Sequence, residues 1–279
     1  EGKEKGLIEY VDPRAEYIKR ISELVNLKVI KRAKLKVAVD LMYGTARGYL
    51  DDILKEAGCE VKILHNWRDV LFGGYPPEPS SAYLGELVKT VREEKCDLGL
   101  ATDGDSDRFG ILDRDGTFIS PNQVLALLLN HLVKTRSWKG VVARSVMTTS
   151  FVDAIAGIHG IQVKETPVGF KYIAEVMQSN DMVIGGEESG GLTIFGHIPE
   201  KDGILACLLI AEMVASEGKS IVEILDDLYK KVGLFLSERI NFHLSEDKME
   251  ALKAKFRKDL PKEIFGLKVD RIVNLDGFK

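Results

Sequence analysis

Residues 98–112 read LGLATDGDSDRFGIL, and this stretch decides how the rest of the chain is organised. Its first four residues, 98–101, are apolar and are typical of a buried strand. Asp103, Asp105 and Asp107 come soon after, so they lie at a strand end, where α/β folds place their ligands. On a flat strand, carboxylates two residues apart lie ~7 Å from one another, which is too far to share one ion. The loop must therefore curl if these side chains are to act together.

Three carboxylates in such a loop either face water or surround a cation. At a separation of ~5 Å and an effective dielectric constant of ~20, each pair repels by ~3 kcal/mol, whereas open solvent reduces this below ~1 kcal/mol. An exposed acidic turn and a hard-cation site both remain open, and Gly104 would permit the curl that the cation site requires. With no histidine or cysteine nearby, the oxygen ligands suit Mg²⁺, Mn²⁺ or Ca²⁺. An EF-hand is excluded, because Arg108 and Arg114 occupy the positions of its glycine and its bidentate glutamate.

The composition is that of an ordinary folded chain. Its 279 residues, of which 45% are hydrophobic, predict two domains and leave room for a third, partial one. A net charge of −4 gives no basic field that would attract nucleic acid. No apolar run approaches the ~20 residues of a membrane span, and the first residues contain no signal-peptide core. The three scattered cysteines predict buried thiols in a reducing compartment, so we expect the cytoplasm.

Apolar runs alternate with segments of helical periodicity, which predicts an α/β fold with mixed, largely parallel sheets between helices. We predict strands at residues 35–40, 59–64, 97–101, 109–112, 117–119, 140–143, 161–165, 182–184, 192–195, 238–244 and 267–274. We predict helices at residues 13–31, 49–57, 83–95, 121–135, 150–159, 168–178, 204–215, 221–231 and 248–257. Ser120 and Gln123 form a predicted capping box, with Pro121 at the first helical position.

This alternation divides into consecutive domains. We place two α/β domains at residues 7–115 and 116–233, after a leader at residues 1–6. The first domain would carry the acidic loop. Residues 234–279 change to a polar-alternating strand and a lysine-rich helix, which predicts a partial α+β piece. The chain stops at an Asp-Gly turn signal with no returning strand, so we expect this piece to be the truncated start of a domain.

Three motifs resemble those of one enzyme family. TDGDSDR, residues 102–108, resembles the metal loop of the α-D-phosphohexomutases, the phosphoglucomutase/phosphomannomutase family. PVGFKYI at residues 167–173 and GGEESGG at residues 185–191 resemble two further signatures of that family, in the same order and spacing. The resemblance covers nearly the whole chain. It implies the second and third domains of such an enzyme and the start of its fourth, phosphate-binding domain.

The resemblance implies a role for each loop. Asp103, Asp105 and Asp107 would hold Mg²⁺, with a phosphoserine as a further ligand. Glu187 and Ser189 would hold the O3 and O4 hydroxyls of a sugar. The remaining substrate-binding candidates are Gly169, Lys171, Glu188, Arg108 and Arg144, the last at a strand end. Of these, Arg108 would also support catalysis.

These residues also have structural interpretations. Residues 187–189 would form a tight turn with solvated carboxylates. Lys171 would be a solvated lysine of a first helical turn, although a cation is unfavourable there, which supports a role in anion binding. Arg108 would form a local ion pair worth ~0.5 kcal/mol when exposed. We expect His197, which precedes a long helix, to be structural rather than catalytic.

The implied activity is reversible phosphoryl transfer between the 1- and 6-positions of glucose and/or mannose phosphate, through a hexose bisphosphate intermediate. The family's serine motif, Thr-Ala-Ser-His-Asn-Pro, and its late Ser-Gly-Thr phosphate clamp do not occur in this sequence. We therefore expect the phosphoserine to lie outside the chain and the chain alone to be inactive. Its partners would be the missing N-terminal and C-terminal domains of the same enzyme.

Three other functions remain open at this stage. The chain could belong to a phosphoglucosamine mutase, since relatives share these loops. It could be a non-catalytic protein that binds sugar phosphates for regulation. An aspartate-based phosphatase of the haloacid dehalogenase type is a third alternative, but it gives the glycine-flanked Glu-Glu-Ser loop no role.

Overall fold

The computed structural model describes residues 2–237, 243–258, 260, 262–269 and 275–276. The chain divides into two compact units, Glu1–Phe235 and Leu236–Lys279. None of the helices in these described ranges combines the length and the apolar character needed to cross a bilayer.

The strand that leads into the acidic loop lies at the centre of the first sheet of the larger unit. Its five strands are β1 (Lys36–Asp40), β2 (Glu60–Leu64), β3 (Leu98–Thr102), β4 (Phe109–Asp113) and β5 (Phe118–Ile119). They lie in the order β2-β1-β3-β4-β5, with β1 parallel to both neighbours and the β3–β4 and β4–β5 pairs antiparallel. After β1, the chain places β2 on one side of β1 and then β3 on the other side. The carboxyl ends of β1 and β3 therefore border a topological switch point, where such sheets bind ligands.

The second sheet repeats this arrangement. Its strands are β6 (Val141–Ser145), β7 (Gln162–Thr166), β8 (Met182–Gly186) and β9 (Leu192–Ile194). They lie in the order β7-β6-β8-β9, with β6 parallel to β7 and β8, and β9 antiparallel to β8. Its switch point lies between the ends of β6 and β8. The prediction of an α/β fold with two mixed sheets is confirmed.

Helices connect and separate the two sheets. Those of the larger unit are α1 (Arg14–Leu24), α2 (Leu27–Ala33), α3 (Leu50–Glu56), α4 (Gly85–Glu93), α5 (Pro121–Arg136), α6 (Phe151–Ile158), α7 (Phe170–Ser179), α8 (Gly203–Glu217) and α9 (Ile221–Val232). Helices α5 and α8 are the most buried, because α8 contacts β3, β4 and β9 while α5 contacts β4 and β8. Both sheets therefore share one hydrophobic core built around these two helices.

Side chains fix the starts of the helices that matter most for this core. The predicted capping box is confirmed, because Ser120 Oγ accepts a hydrogen bond from Gln123 N–H, and the Gln123 side chain accepts from Ser120 N–H. Helix α9 is held by a residue of the β4–β5 hairpin. The buried Asp113 carboxylate accepts hydrogen bonds from Ile221 N–H at 3.1 Å and Val222 N–H at 2.9 Å.

The single helix predicted over residues 13–31 is wrong, because the chain breaks between α1 and α2. Val25 is extended, with φ −105° and ψ 136°. The N–H of Asn26 donates instead to Glu212 Oε2 at 2.7 Å, on the distant helix α8. Glu212 also binds Arg136 and His131, so a buried carboxylate network replaces the local helical hydrogen bond.

The smaller unit contains α10 (Glu246–Lys258) and a short antiparallel hairpin of β10 (Glu263–Ile264) and β11 (Leu267–Lys268). The strand predicted at 267–274 ends at Lys268 as far as the structure describes it, and residues 270–274 lie outside the described residues. Residues 238–242 of the strand predicted at 238–244 also lie outside the described residues.

Candidate functional site

The acidic loop after β3 brings its three aspartates together. One carboxylate oxygen from each of Asp103, Asp105 and Asp107 lies within 4.8 Å of the others. Asp103 is buried, Asp107 is half-buried and Asp105 is exposed. The loop is therefore open to solvent on one side, and its carboxylates converge rather than point apart.

The curl of this loop depends on Ser106 rather than on Gly104. Ser106 has φ +67°, in the left-handed region, whereas Gly104 does not adopt a positive φ. The Ser106 hydroxyl lies 2.8 Å from Thr45 Oγ1, and the Ser106 backbone carbonyl accepts a hydrogen bond from Gly203 N–H at 2.9 Å. A side chain at Gly104 would instead press on Pro77, 3.0 Å away. The glycine gives the loop room, and tertiary hydrogen bonds hold the unusual backbone.

Arg108 closes the loop onto Asp103. Its backbone N–H donates to Asp103 Oδ1 at 3.0 Å and its Nε–H donates to Oδ2 at 2.8 Å. The pKa of Asp103 is raised to about 6, chiefly by burial; the two Arg108 hydrogen bonds oppose this rise, and the charges of Asp107 and Asp105 add to it. The loop thus holds one carboxyl group whose charge depends on pH near neutrality.

Lys201 completes the site, and the sequence analysis did not identify its role. Its Nζ forms an ion pair with Asp107 Oδ2. Its methylene groups occupy the space over Gly191, where an added Cβ would collide with them. The sequence offers one signal for this role. Gly191 has no side chain to fill the space over the second loop, and Lys201 is a long basic residue just before a predicted helix.

The turn that carries Lys201 is fixed by the residue that follows it. Asp202 caps α8 by accepting from Leu205 N–H at 2.8 Å. Its carboxylate also binds Tyr17 Oη, at 2.9 Å and 3.0 Å to the two oxygens, and His197 Nε2 at 2.9 Å. The almost fully buried His197 side chain thus contacts a capping carboxylate, which agrees with the structural role expected for it.

The second loop, residues 187–191, lies directly against the acidic loop. It joins β8 to β9 as a tight turn, in which Gly190 N–H donates to Glu187 O at 3.1 Å. The Gly190 carbonyl accepts from the N–H of Phe109, the first residue of β4, at 3.3 Å. One main-chain hydrogen bond therefore connects the two predicted site loops.

The predicted sugar-binding residues differ in their surroundings. Glu187 is buried, and its Oε1 accepts from Gly169 N–H at 2.8 Å, so the motif at 167–173 meets this loop. Glu188 Oε2 accepts from Ser145 Oγ at 3.2 Å. Ser189 is exposed. The loop therefore presents the Ser189 hydroxyl to solvent beside the Glu187 carboxylate, which the Gly169 N–H already orients.

The two remaining basic candidates lie in contrasting environments. Lys171 is exposed in the first turn of α7, with its Nζ 4.8 Å from the Tyr172 ring centroid. Arg144 is buried, and its guanidinium pairs with Asp153 at 2.6 Å and with Glu165 at 2.7 Å. Two carboxylates of the chain already balance the Arg144 charge, so this geometry does not favour it as an anion ligand.

The fold and the two joined loops define a class of two-domain α/β/α proteins with an acidic loop in the first domain and a glycine-flanked polar loop in the second. Residues 15–116 match the family model of phosphoglucomutase/phosphomannomutase alpha/beta/alpha domain II, and residues 120–232 match that of domain III. The chain belongs to the phosphoglucomutase/phosphomannomutase family.

Individual relatives agree with this assignment. The chain is 30% identical to "Phosphoglucomutase/phosphomannomutase" of Thermococcus kodakarensis over 94% of the chain and 55% of that protein. It is 35% identical to "Probable phosphoglucosamine mutase" of Methanothermobacter thermautotrophicus over 81% of the chain and 47% of that protein. A putative phosphomannomutase from Thermus thermophilus superposes with a TM-score of 0.75 at 34% identity, over 81% of this chain and 52% of that one. The chain spans about half the length of the curated relatives it matches.

Proposed function

We propose that this chain supplies the metal-binding and sugar-binding parts of a phosphohexomutase that interconverts hexose 1-phosphate and hexose 6-phosphate. The observation that carries the proposal is the hydrogen bond between Phe109 N–H and Gly190 O, which joins the converging aspartates to the polar loop. A phosphoryl group and a sugar need adjacent sites of these two kinds. The phosphoserine that exchanges the phosphoryl group would lie in a part of the enzyme outside this chain, so the chain alone would be inactive.

Asp103, Asp105 and Asp107 would hold Mg²⁺. Their donor set fits a hard cation, because all three offer carboxylate oxygens. Two basic side chains lie beside them, since Arg108 pairs with Asp103 and Lys201 with Asp107. One oxygen of each carboxylate lies within 4.8 Å of the other two, a spread small enough for all three side chains to approach one ion. When bound, Mg²⁺ would neutralise charge on the transferring phosphoryl group.

The loop at 187–191 would bind the hexose. Ser189 would offer its exposed hydroxyl and Glu187 a carboxylate held by Gly169 N–H, and both groups suit neighbouring sugar hydroxyls. Lys171 and Glu188 would extend this surface at the start of α7 and beside β6. Lys171 would contact the phosphate group of the substrate, namely the one that is not transferred.

Arg108 and Lys201 would surround the reacting phosphate. Arg108 holds Asp103 and lies 3.6 Å from Glu78, so its guanidinium is oriented by carboxylates on two sides. Lys201 pairs with Asp107, and its ammonium would lie beside the transferring phosphoryl group, where it would donate a proton to the oxygen whose bond to phosphorus breaks. Arg144 is left out of the proposal because its charge is balanced within the chain.

Glucose and/or mannose phosphate are the proposed substrates. A phosphoglucosamine mutase is the second candidate, favoured by the 35% identity to the Methanothermobacter protein of that name. Assaying the longer enzyme that contains this chain against glucose, mannose and glucosamine phosphates would separate the two. The buried, unpaired state of Cys59, Cys96 and Cys207 supports the cytoplasm as its proposed compartment.

The joint site can be tested directly on the purified chain. Mn²⁺ replaces Mg²⁺ at oxygen sites and broadens the NMR signals of nuclei held close to it. We expect Mn²⁺ to broaden the signals of glucose 6-phosphate in the presence of the chain and to lose this effect in Asp105→Asn. Asp226→Asn, an exposed carboxylate on α9, serves as the matched control and should behave as the wild type.

Two results would contradict the proposal. Equal broadening with Asp105→Asn and wild type would show that the acidic loop does not hold the ion beside the sugar. Conversion of glucose 1-phosphate to glucose 6-phosphate by the purified chain would show that the phosphoryl carrier does not lie elsewhere.

A further inference from the structure

We propose that a second cleft, at the carboxyl ends of β1 and β2 and the start of α4, binds an organic cation with a guanidinium or alkylammonium group. The cleft has a volume of about 420 Å³, which is in the range of small-molecule sites. None of the three aspartates of the acidic loop lines it. The inference does not depend on the function proposed above.

The walls of the cleft are rich in aromatic rings. Tyr43, Phe72, Tyr75 and Tyr83 line it. The rings of Tyr75 and Tyr83 lie 6.5 Å apart with an interplanar angle of 49°, and these residues are 69% and 39% exposed. Aromatic faces of this kind attract cations through the ring quadrupole when the cation lies within ~6 Å of the centroid.

Carboxylates supply the charge that makes a cation the preferred ligand. Asp40 and Glu86 both line the cleft, and no lysine or arginine is among its described lining residues. His65 connects the two, with Nδ1 2.8 Å from Asp40 Oδ1 and Nε2 3.3 Å from Glu86 Oε2. The Glu86 side chain is 61% exposed and faces water at the cleft. Burial, followed by the charges of Asp69, Asp40 and Glu86, raises the pKa of the Tyr43 hydroxyl, which agrees with a negative potential here.

This chemistry favours a cation over the ligands of the first site. A sugar phosphate would be repelled by the carboxylates, and a neutral saccharide lacks the charge attraction that a cation would gain from them. A cation instead gains from both the aromatic rings and the charges. The cation could be a free metabolite or an arginine or lysine side chain of another protein, and the exposed Trp67, Val70 and Leu71 near the cleft would add apolar contacts only for the second source.

Trp67 provides a reporter for the cleft. Its ring centroid lies 5.1 Å from that of Tyr43, and the residue is 56% exposed. The sequence contains two tryptophans, so Trp138→Phe leaves Trp67 as the sole source of tryptophan fluorescence. We would titrate this variant with agmatine, with tetramethylammonium, with an acetylated Leu-Arg-Leu amide and with maltotriose, after checking its fold by circular dichroism.

The proposal predicts a saturable change in Trp67 fluorescence with both small cations, weakened by added salt, and no saturable change with maltotriose. Glu86→Gln should weaken agmatine binding about fivefold, and Tyr83→Leu about two- to fivefold. Glu93→Gln, an exposed carboxylate further along α4, should leave it unchanged. Tighter binding of the peptide than of agmatine would identify a protein segment as the source, and equal binding a free cation.

Three results would overturn the proposal. They are the absence of saturable binding by every cation, equal binding of maltotriose and agmatine, and unchanged agmatine affinity in Glu86→Gln. Because none of these substitutions touches the acidic loop, each result is independent of whether the chain binds Mg²⁺.

Discussion

Asp103 is the loop carboxylate whose charge is most sensitive to pH. Burial raises its pKa in the folded chain to about 6, above the ~3.9 of an unfolded aspartate. Between these values the folded chain binds more protons than the unfolded one, so the metal-free chain loses stability as the pH rises through this window. The proposed Mg²⁺ site requires the charged carboxylate, so its affinity for Mg²⁺ should increase over the same window.

We therefore expect Mg²⁺ to raise the melting temperature more at about pH 8 than at about pH 5. Thermal unfolding with and without Mg²⁺ at both pH values would measure this difference. In Asp103→Asn the Mg²⁺-induced shift should be small at both. An equally large shift in wild type at the two pH values would argue against Asp103 as a ligand.

Lys201 would compete with the proposed metal for Asp107, because its Nζ pairs with that carboxylate. We expect Lys201→Met to increase the affinity of the isolated chain for Mg²⁺, by up to about fivefold, since a surface ion pair contributes up to ~1 kcal/mol. Isothermal titration calorimetry would measure it. Lys219→Met is a suitable control, because Lys219 pairs with Asp227 at 2.7 Å, far along the chain from the acidic loop. Weaker Mg²⁺ binding by Lys201→Met would contradict the competition.

At the scale of elements, the β4–β5 hairpin and helix α9 depend on one another through Asp113. This buried carboxylate accepts from two N–H groups at the start of α9 and from Arg114 N–H. We expect Asp113→Ala to reduce the free energy of unfolding by about 2 kcal/mol, because the amides lose a charged acceptor. Urea unfolding would measure the loss, and Asp226→Asn on the exposed face of α9 should cost less than about 0.5 kcal/mol.

Most elements could be predicted because their signals are local. The apolar run before the acidic loop predicted β3, and the Ser120 capping box with Pro121 predicted the start of α5. The break at Asn26 could not be predicted, since its cause is Glu212, a residue 186 positions away. A helical pattern on either side of the break gives no sign of that partner.

The candidate site shows the same division. The aspartates and the Glu-Glu-Ser loop were visible as motifs, because the spacing of their carboxylates and glycines is read directly from the sequence. The pairing of Lys201 with Asp107, and the neutralisation of Arg144 by Asp153 and Glu165, depend on which elements become neighbours. Sequence spacing alone does not contain that information.

At the scale of the larger unit, α5 and α8 contact both sheets and place them in one hydrophobic core. We expect the two sheets to unfold together. Trp67 lies close after β2 and Trp138 close before β6, so each reports on a different sheet. Trp138→Phe and Trp67→Phe should show fluorescence transitions with the same midpoint in urea. Two separated midpoints would mean that the sheets fold independently despite their shared helices.

The hydrogen bond from Phe109 to Gly190 has a consequence for turnover. Because this bond joins the acidic loop and the loop at 187–191 main chain to main chain, we expect their separation to stay the same during the proposed catalytic cycle. A mutase must present first one end and then the other end of its hexose to the same phosphoryl donor. In the proposed enzyme this rotation belongs to the bisphosphate itself, which has to leave the hydroxyl contacts, invert and bind again between two stationary walls.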